Sequence, residues 1–207
     1  NYTLFADRDE NLWIGTDGKG ISVIDQNEKI VTISNDKTIL SFAEDKNGYI
    51  WFSTLDNGIG KIVHDSIFWF GLSEGLTELH ISGITSDKNG NIVSFHHTGL
   101  DIIDPDSHTI FCLGNNIGIR KWEQNINPFF NDRKHTISIT EDNNIITYQP
   151  VTQSYPKVHL TVKALSSGKS ILDTQSDNIL DHVDNDFLIE FAGIWFNDPD
   201  AVHYRYR

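Results

Sequence analysis

The sequence predicts an all-β chain assembled from repeats, and three observations predict it. A ten-residue pattern recurs at steps of about 40 residues, the period of a repeat architecture. Turn residues punctuate short runs rich in Val, Ile, Phe, Tyr and Trp. No long stretch carries the 3.6-residue apolar period of an amphipathic helix.

Residues 7–16 read DRDENLWIGT, residues 45–54 read DKNGYIWFST and residues 87–96 read DKNGNIVSFH. A weaker fourth copy, ISITEDNNIITY, covers 137–148. After each of the first three cores comes a Gly-hydrophobic step: Gly20-Ile21, Gly58-Ile59 and Gly99-Leu100. The second copy shows how one unit is built. A first strand over 40–43 runs into the Asp45-Lys46-Asn47-Gly48 turn, where Asn-Gly tolerates the positive φ of a tight hairpin. A second strand covers 49–54. A Gly-containing turn leads to a third strand over 59–63, and a fourth covers 66–70. Four strands in about 40 residues is the size of one propeller blade. A blade cannot bury both faces alone and must stack on neighbours. Trp13 and Trp51 recur at one position of the unit and are expected to pack between adjacent blades. Asp45, Gly48, Asp87 and Gly90 are expected to be structural turn residues.

Composition narrows the function. Hydrophobic residues make up 38% and charged residues 22%, as in a folded domain. The net charge is −13, from 16 basic and 29 acidic residues. Such a chain repels a phosphate backbone, so no nucleic-acid partner is expected for this segment. The longest apolar runs, such as Ile67-Phe68-Trp69-Phe70, fall far short of the roughly 20 residues of a membrane helix. There is no Met, and the natural N-terminus is expected to lie upstream. The lone Cys112 excludes an internal disulfide, and no CxxC or Cys/His motif suggests zinc.

The pattern D-x-x-G-x-I/L-W-x-x-T followed by G-L/I resembles the two-component regulator propeller repeat. The lead-in segment from Gly71 to Ile84, GLSEGLTELHISGI, is similar to that family's linker into the next blade. The third copy departs with Val93 in place of Trp, and the fourth lacks both the Trp and the Gly step. The resemblance implies a partial β-propeller of about four four-stranded blades over 1–150.

Pro150 and Pro156 bracket a change of pattern. Alternating runs follow at 158–162 and 186–191, as in half-buried strands. The end, FAGIWFNDPDAVHYRYR, resembles the triple-tyrosine (Y_Y_Y) domain that follows the propeller in the same sensors. Residues 151–207 are therefore expected to be the start of an immunoglobulin-like β-sandwich, cut short before its last strands. By this resemblance the chain is the periplasmic, ligand-sensing region of a two-component regulator. The resemblance also implies a downstream membrane helix, a histidine kinase or DNA-binding output, a homodimer, and an oligosaccharide as the small-molecule ligand.

The Asp-x-Asn-Gly turns resemble the start of a calcium loop but lack its distal Glu, so they are read as hairpins. His96 and His97 are adjacent and would point to opposite faces of a strand, which disfavours shared chelation. No HExxH, no GxSxG and no Ser-His-Asp elbow is present. No catalytic residue, metal or cofactor is expected. By analogy with propellers, a ligand would sit where the loops between second and third strands and the blade-to-blade crossovers emerge. That face would carry His96 and His97 from the loops, with Lys37, Glu78 and His80 from the crossovers. Trp122, flanked by Arg120 and Lys121, is the aromatic platform candidate. Ordinary solvated loop residues are the plain alternative for each. Two other functions compete: a streptogramin-lyase-like propeller enzyme, and a protein-binding propeller without a small ligand.

Overall fold

The first twelve strands sort into three sheets of four, each an up-and-down meander. The computed structural model describes residues 3–33, 36–64, 66–114, 129–131, 136–141, 144–150, 160–167, 170–172 and 186–193. The first sheet holds β1 (Thr3–Ala6), β2 (Leu12–Gly15), β3 (Ile21–Ile24) and β4 (Ile30–Ile33). The second holds β5 (Ile39–Glu44), β6 (Ile50–Thr54), β7 (Ile59–Val63) and β8 (Ser66–Phe70). The third holds β9 (Gly83–Ser86), β10 (Ile92–His96), β11 (Gly99–Ile103) and β12 (Ile110–Leu113). A further sheet pairs β13 (Phe129–Asn131), β14 (Ile137–Glu141) and β15 (Asn144–Tyr148). All pairings within these sheets are antiparallel.

The first strands of successive sheets are neighbours: β1 lies beside β5, β5 beside β9, and β9 beside β13. This is the blade-on-blade stacking of a propeller, as the repeats predict. The cores lie between blades. Trp13, Ile21, Ile39, Phe42 and Phe52 fill the space between the first and second sheets. Trp51, Ile59, Phe70, Ile84, Ile92 and Ile103 fill the space between the second and third. Val93, Phe95, Leu100, Ile137 and Ile139 fill the next. Period-two alternation explains how one strand serves two cores. Trp51 faces one way and Phe52 the other, and both are fully buried. Burying about 200 Å² of indole contributes roughly 5 kcal/mol at about 25 cal/mol/Å² before ordering costs.

The recurring Asp explains the repeat signature. In each copy its Oδ1 accepts backbone N–H groups two and four residues on: Asp9 and Asn11 for Asp7, Asn47 and Tyr49 for Asp45, Asn89 and Asn91 for Asp87. Oδ2 accepts the indole Nε1–H six residues on, at 2.8 Å from Trp13 and 2.9 Å from Trp51. With Val93 at that position the indole bond is lost, and Asp87 Oδ2 keeps the donor from Asn91 Nδ2 at 3.1 Å, the counterpart of Asn11 Nδ2 on Asp7 Oδ2 at 2.9 Å in the first copy. The turn differs from the expected one in a detail. Among its central residues Gly48 takes the positive φ, at 86°, and Gly90 matches it at 78°; Asn47 does not. The N–H of Gly48 donates back to Asp45 O. The Asp45–Gly48 turn thus closes the β5–β6 hairpin as expected, with the left-handed conformation at Gly48 alone. Glu10 occupies the same place in the first copy, with φ 60°.

At the rim of these turns, polar side chains join one blade to the next. Arg8 pairs with Glu44, and Lys46 with Asp106 at 2.6 Å. Buried Lys61 on β7 donates to Pro105 O at 3.2 Å, between the rings of Tyr49 and Trp51.

By its internal contacts the chain divides into two units, Asn1–Val151 and Thr152–Arg207. The second contains a three-stranded antiparallel sheet in the order β17 (Ser170–Leu172), β16 (Leu160–Ser167), β18 (Phe187–Gly193). Its pairing is irregular between Val162 and Ala164. Strands were expected in both places, and β16 runs further toward its C-terminal end than the alternating run at 158–162.

Candidate functional site

The end of the sheets opposite the Asp turns gathers the loops between second and third strands with the blade-to-blade crossovers. Backbone hydrogen bonds stitch them together: Gly20 N–H donates to Lys37 O, Gly58 N–H to Leu79 O, and Ile81 N–H to Thr54 O. The regularity has a local cause. Thr16 and Thr54, at equivalent repeat positions, each donate Oγ1–H to the carbonyl of the Gly four residues on. Gly20 and Gly58 there take φ of 72° and 74°.

The third blade breaks this rule. His96 stands where the others have Thr16 and Thr54, and Gly99 follows three residues later rather than four. One strand across, Asp101 stands where the others have Ser22 and Gly60, and one further, Cys112 stands where they have Thr32 and Trp69. Register puts the three on one face. Asp101 lies opposite Ser94 on β10 and opposite Cys112 on β12, and His96 is two residues beyond Ser94. That face also carries Ile92, Ile103 and Ile110, and it packs toward the second blade.

His96 and Asp101 are fully buried, and Cys112 is half-buried. His96 Nδ1 is 3.1 Å from Thr98 Oγ1, which donates to Glu78 Oε1 at 2.8 Å. His96 Nε2 lies 3.5 Å from Asp101 Oδ1. That is an ion-pair distance, but the alignment is not that of a hydrogen bond, and Nε2 has no hydrogen-bond partner among the described residues. Thr77, on the crossover from the second blade, holds the carboxylate. Its N–H donates to Asp101 Oδ2 at 2.8 Å, and its Oγ1 lies 2.7 Å from Oδ1 and 3.2 Å from Cys112 Sγ. One hydroxyl has one proton, and the carboxylate is the stronger acceptor, so the thiol is left to donate to Thr77 Oγ1.

The charges follow from this packing. Burial alone would push the His96 imidazole down, but Asp101, the Cys112 sulfur and Glu78 outweigh it and hold it up at about 9. Burial likewise pushes Asp101 up, and His96 with the two Thr77 donors outweighs it, leaving the carboxyl below its ordinary range. At neutral pH the pair is therefore an imidazolium and a carboxylate. Among the described residues, His96, Asp101 and Cys112 are the group whose potential metal-ligand atoms converge, all within 4.8 Å of one another.

Of the residues anticipated from sequence, His96 and Glu78 come together, 3.7 Å apart. His97 and His80 lie on the same end of the sheets and are half-buried, and Lys37 is half-buried on the first crossover. Trp122 and Arg120 lie outside the described residues. Thr77, Thr98, Asp101 and Cys112 escaped sequence reasoning. For Asp101 and Cys112 the signal was a ligand-type side chain at positions that strand pairing brings near His96.

The family model for the two-component regulator propeller matches residues 32–56. None of the curated proteins compared matches the chain. Among solved structures, the fold is shared with the extracellular domain of the hybrid two-component system BT3049 of B. thetaiotaomicron. The TM-score is 0.64 and the identity 20%, over 92% of this chain and 28% of that one. It is shared too with the extracellular domain of the one-component system BT4673 of the same organism, with TM-score 0.60 and 19% identity over 88% and 29%. Virginiamycin B lyase from Staphylococcus aureus gives TM-score 0.53 and 19% identity over 73% and 56%. The chain thus spans under a third of the length of the two extracellular domains. These likenesses establish a propeller-type fold.

Proposed function

We propose that the chain is part of the extracytoplasmic ligand-sensing region of a two-component regulator. The carrying observation is the blade stack itself, whose second blade matches the regulator-propeller model while the whole shares its fold with extracellular domains of such systems. The reading extends to a periplasmic location, a triple-tyrosine domain beginning after residue 150, and a kinase or transcriptional output reached through a membrane helix outside this chain. The ligand is an oligosaccharide, taken on the face where loops and crossovers meet. Glu78, His80, His97 and Lys37 supply polar groups of the kind that hydroxyl-rich ligands need. Binding biases one arrangement of a homodimer over another, because a ligand shifts an equilibrium only through differential affinity.

A thermal-shift screen of the complete extracytoplasmic region against a panel of oligosaccharides tests this. A saccharide at 100 times its Kd stabilises the folded state by about 2.7 kcal/mol and raises Tm. Alanine at His80 or His97 is expected to weaken that saccharide roughly five-fold for each lost hydrogen bond of about 1 kcal/mol. A well-folded protein with no shift across the panel rejects the saccharide reading in favour of a protein partner. The lyase-like fold supports a second reading, an enzyme, and turnover of a streptogramin by the same preparation would establish it.

A further inference from the structure

We propose that the junction between the second and third blades binds one zinc-class divalent cation, ligated by His96 Nε2, Asp101 Oδ1 and Cys112 Sγ. Four observations converge on this. The three atoms come from three adjacent strands and lie within 4.8 Å of one another, with imidazole and carboxylate at 3.5 Å. Zinc bonds of about 2.0–2.3 Å set tetrahedral ligand atoms about 3.3–3.6 Å apart, so the widest pair closes by about 1.5 Å at most. Cys112, half-buried on the outermost strand of its sheet, has room to make that adjustment.

The second observation is the orphaned nitrogen. A fully buried imidazole nitrogen without a hydrogen-bond partner is rare, and among the described residues Nε2 has only the ion-pair contact to Asp101 Oδ1 at 3.5 Å, without hydrogen-bond alignment. That nitrogen points into the same cluster, where a cation would satisfy it. Third, each ligand has an outer partner of the kind metal sites use to fix orientation. His96 Nδ1 engages Thr98, which is anchored on Glu78, while Thr77 holds Asp101 and touches Cys112. Fourth, the third blade departs from the Thr shared by the other two at the His96 position, and it carries ligand-type side chains at two neighbouring positions where they carry none. The equivalent side chains are Thr16, Ser22 and Thr32 in the first blade, and Thr54, Gly60 and Trp69 in the second. A nitrogen–sulfur–oxygen set selects a borderline metal such as Zn²⁺ over calcium or magnesium, which prefer oxygen alone. Water completes the coordination from the exposed side of Cys112.

The inference stands apart from the saccharide reading: zinc without a saccharide response would sink only the latter. The test uses the chain stripped of metal with a chelator and titrated with Co²⁺, then Zn²⁺. One equivalent of Co²⁺ should produce a thiolate-to-cobalt charge-transfer band, which Zn²⁺ abolishes. Because Cys112 is the only cysteine, alkylation monitored by mass reads the same site. Zn²⁺ should slow it at least ten-fold. Cys112→Ser should remove the band, and His96→Gln should remove the zinc protection. Thr98→Val, at an exposed loop position, should weaken zinc 10- to 100-fold, and it keeps the proposal testable if His96→Gln does not fold. A folded chain with no band and an unchanged alkylation rate overturns the proposal. So does zinc protection that survives both His96→Gln and Thr98→Val, which would place the ion on other histidines.

Discussion

Replacing Trp51 with phenylalanine keeps an aromatic ring in the core but removes the indole N–H that Asp45 Oδ2 accepts. Asp45 is itself buried, so the carboxylate loses a donor where no water replaces it. The expected cost is about 1–3 kcal/mol plus the smaller ring's cavity, read as a lower denaturant midpoint with unchanged slope. Trp13→Phe should cost less, since Asp7 is only partly buried and solvent can take over the lost bond. His96 makes a prediction in pH. In the metal-free protein its folded-state pKa is about 9 against an ordinary 6.5. A raised pKa stabilises fully below the unfolded value and is lost as pH rises through the folded one. Tm measured with chelator present should therefore fall between pH 6.5 and about 9 relative to His96→Gln. The groups facing the imidazole are Asp101 and Glu78, with Cys112 and Thr98, and Asp101 works in the opposite window. Its lowered pKa adds stability above the ordinary carboxylate range that fades as acid protonates it.

The four-stranded element depends on backbone geometry as much as on its apolar faces. Gly58 immediately precedes β7 at φ 74°, and a Cβ there would run into the carbonyl oxygen of Phe70 on β8. Gly58→Ala combines a left-handed backbone with a steric clash, and we expect a loss above about 1 kcal/mol in chemical denaturation. The Gly-hydrophobic step was plain in the sequence for this reason: the chain can enter its third strand there with little but glycine. The strands of the second blade were equally legible, because Asp45, Gly48, Trp51 and Gly58 each answer to a local requirement. The Asp45–Gly48 turn was legible too, but its organisation was not: only the structure shows Asp45 holding it through its carboxylate and through the bond from Gly48 N–H to its carbonyl.

Across the whole molecule, the legible part is what repeats and the hidden part is what does not. Blade stacking could be foreseen because one blade leaves two apolar faces uncovered. The cluster around His96 could not, because its members are scattered from Thr77 to Cys112 and meet only through strand register and a crossover. His96 was expected to offer itself to a ligand from a loop, whereas it ends β10 with its ring buried between blades, which nothing local reveals. Glu78 was noticed for its place on the crossover, and its link to His96 through Thr98 needed the structure.

The cores between neighbouring blades are built alike from branched and aromatic side chains, whereas the polar content of each junction is its own. A lineage can therefore rewrite the chemistry of one junction while the others go on holding the stack together. Unequal duplication of a unit would hand such a junction to a new neighbour without redesigning the rest. In that sense the architecture works as an archive of separate experiments, and His96, Asp101 and Cys112 are the record of one that diverged.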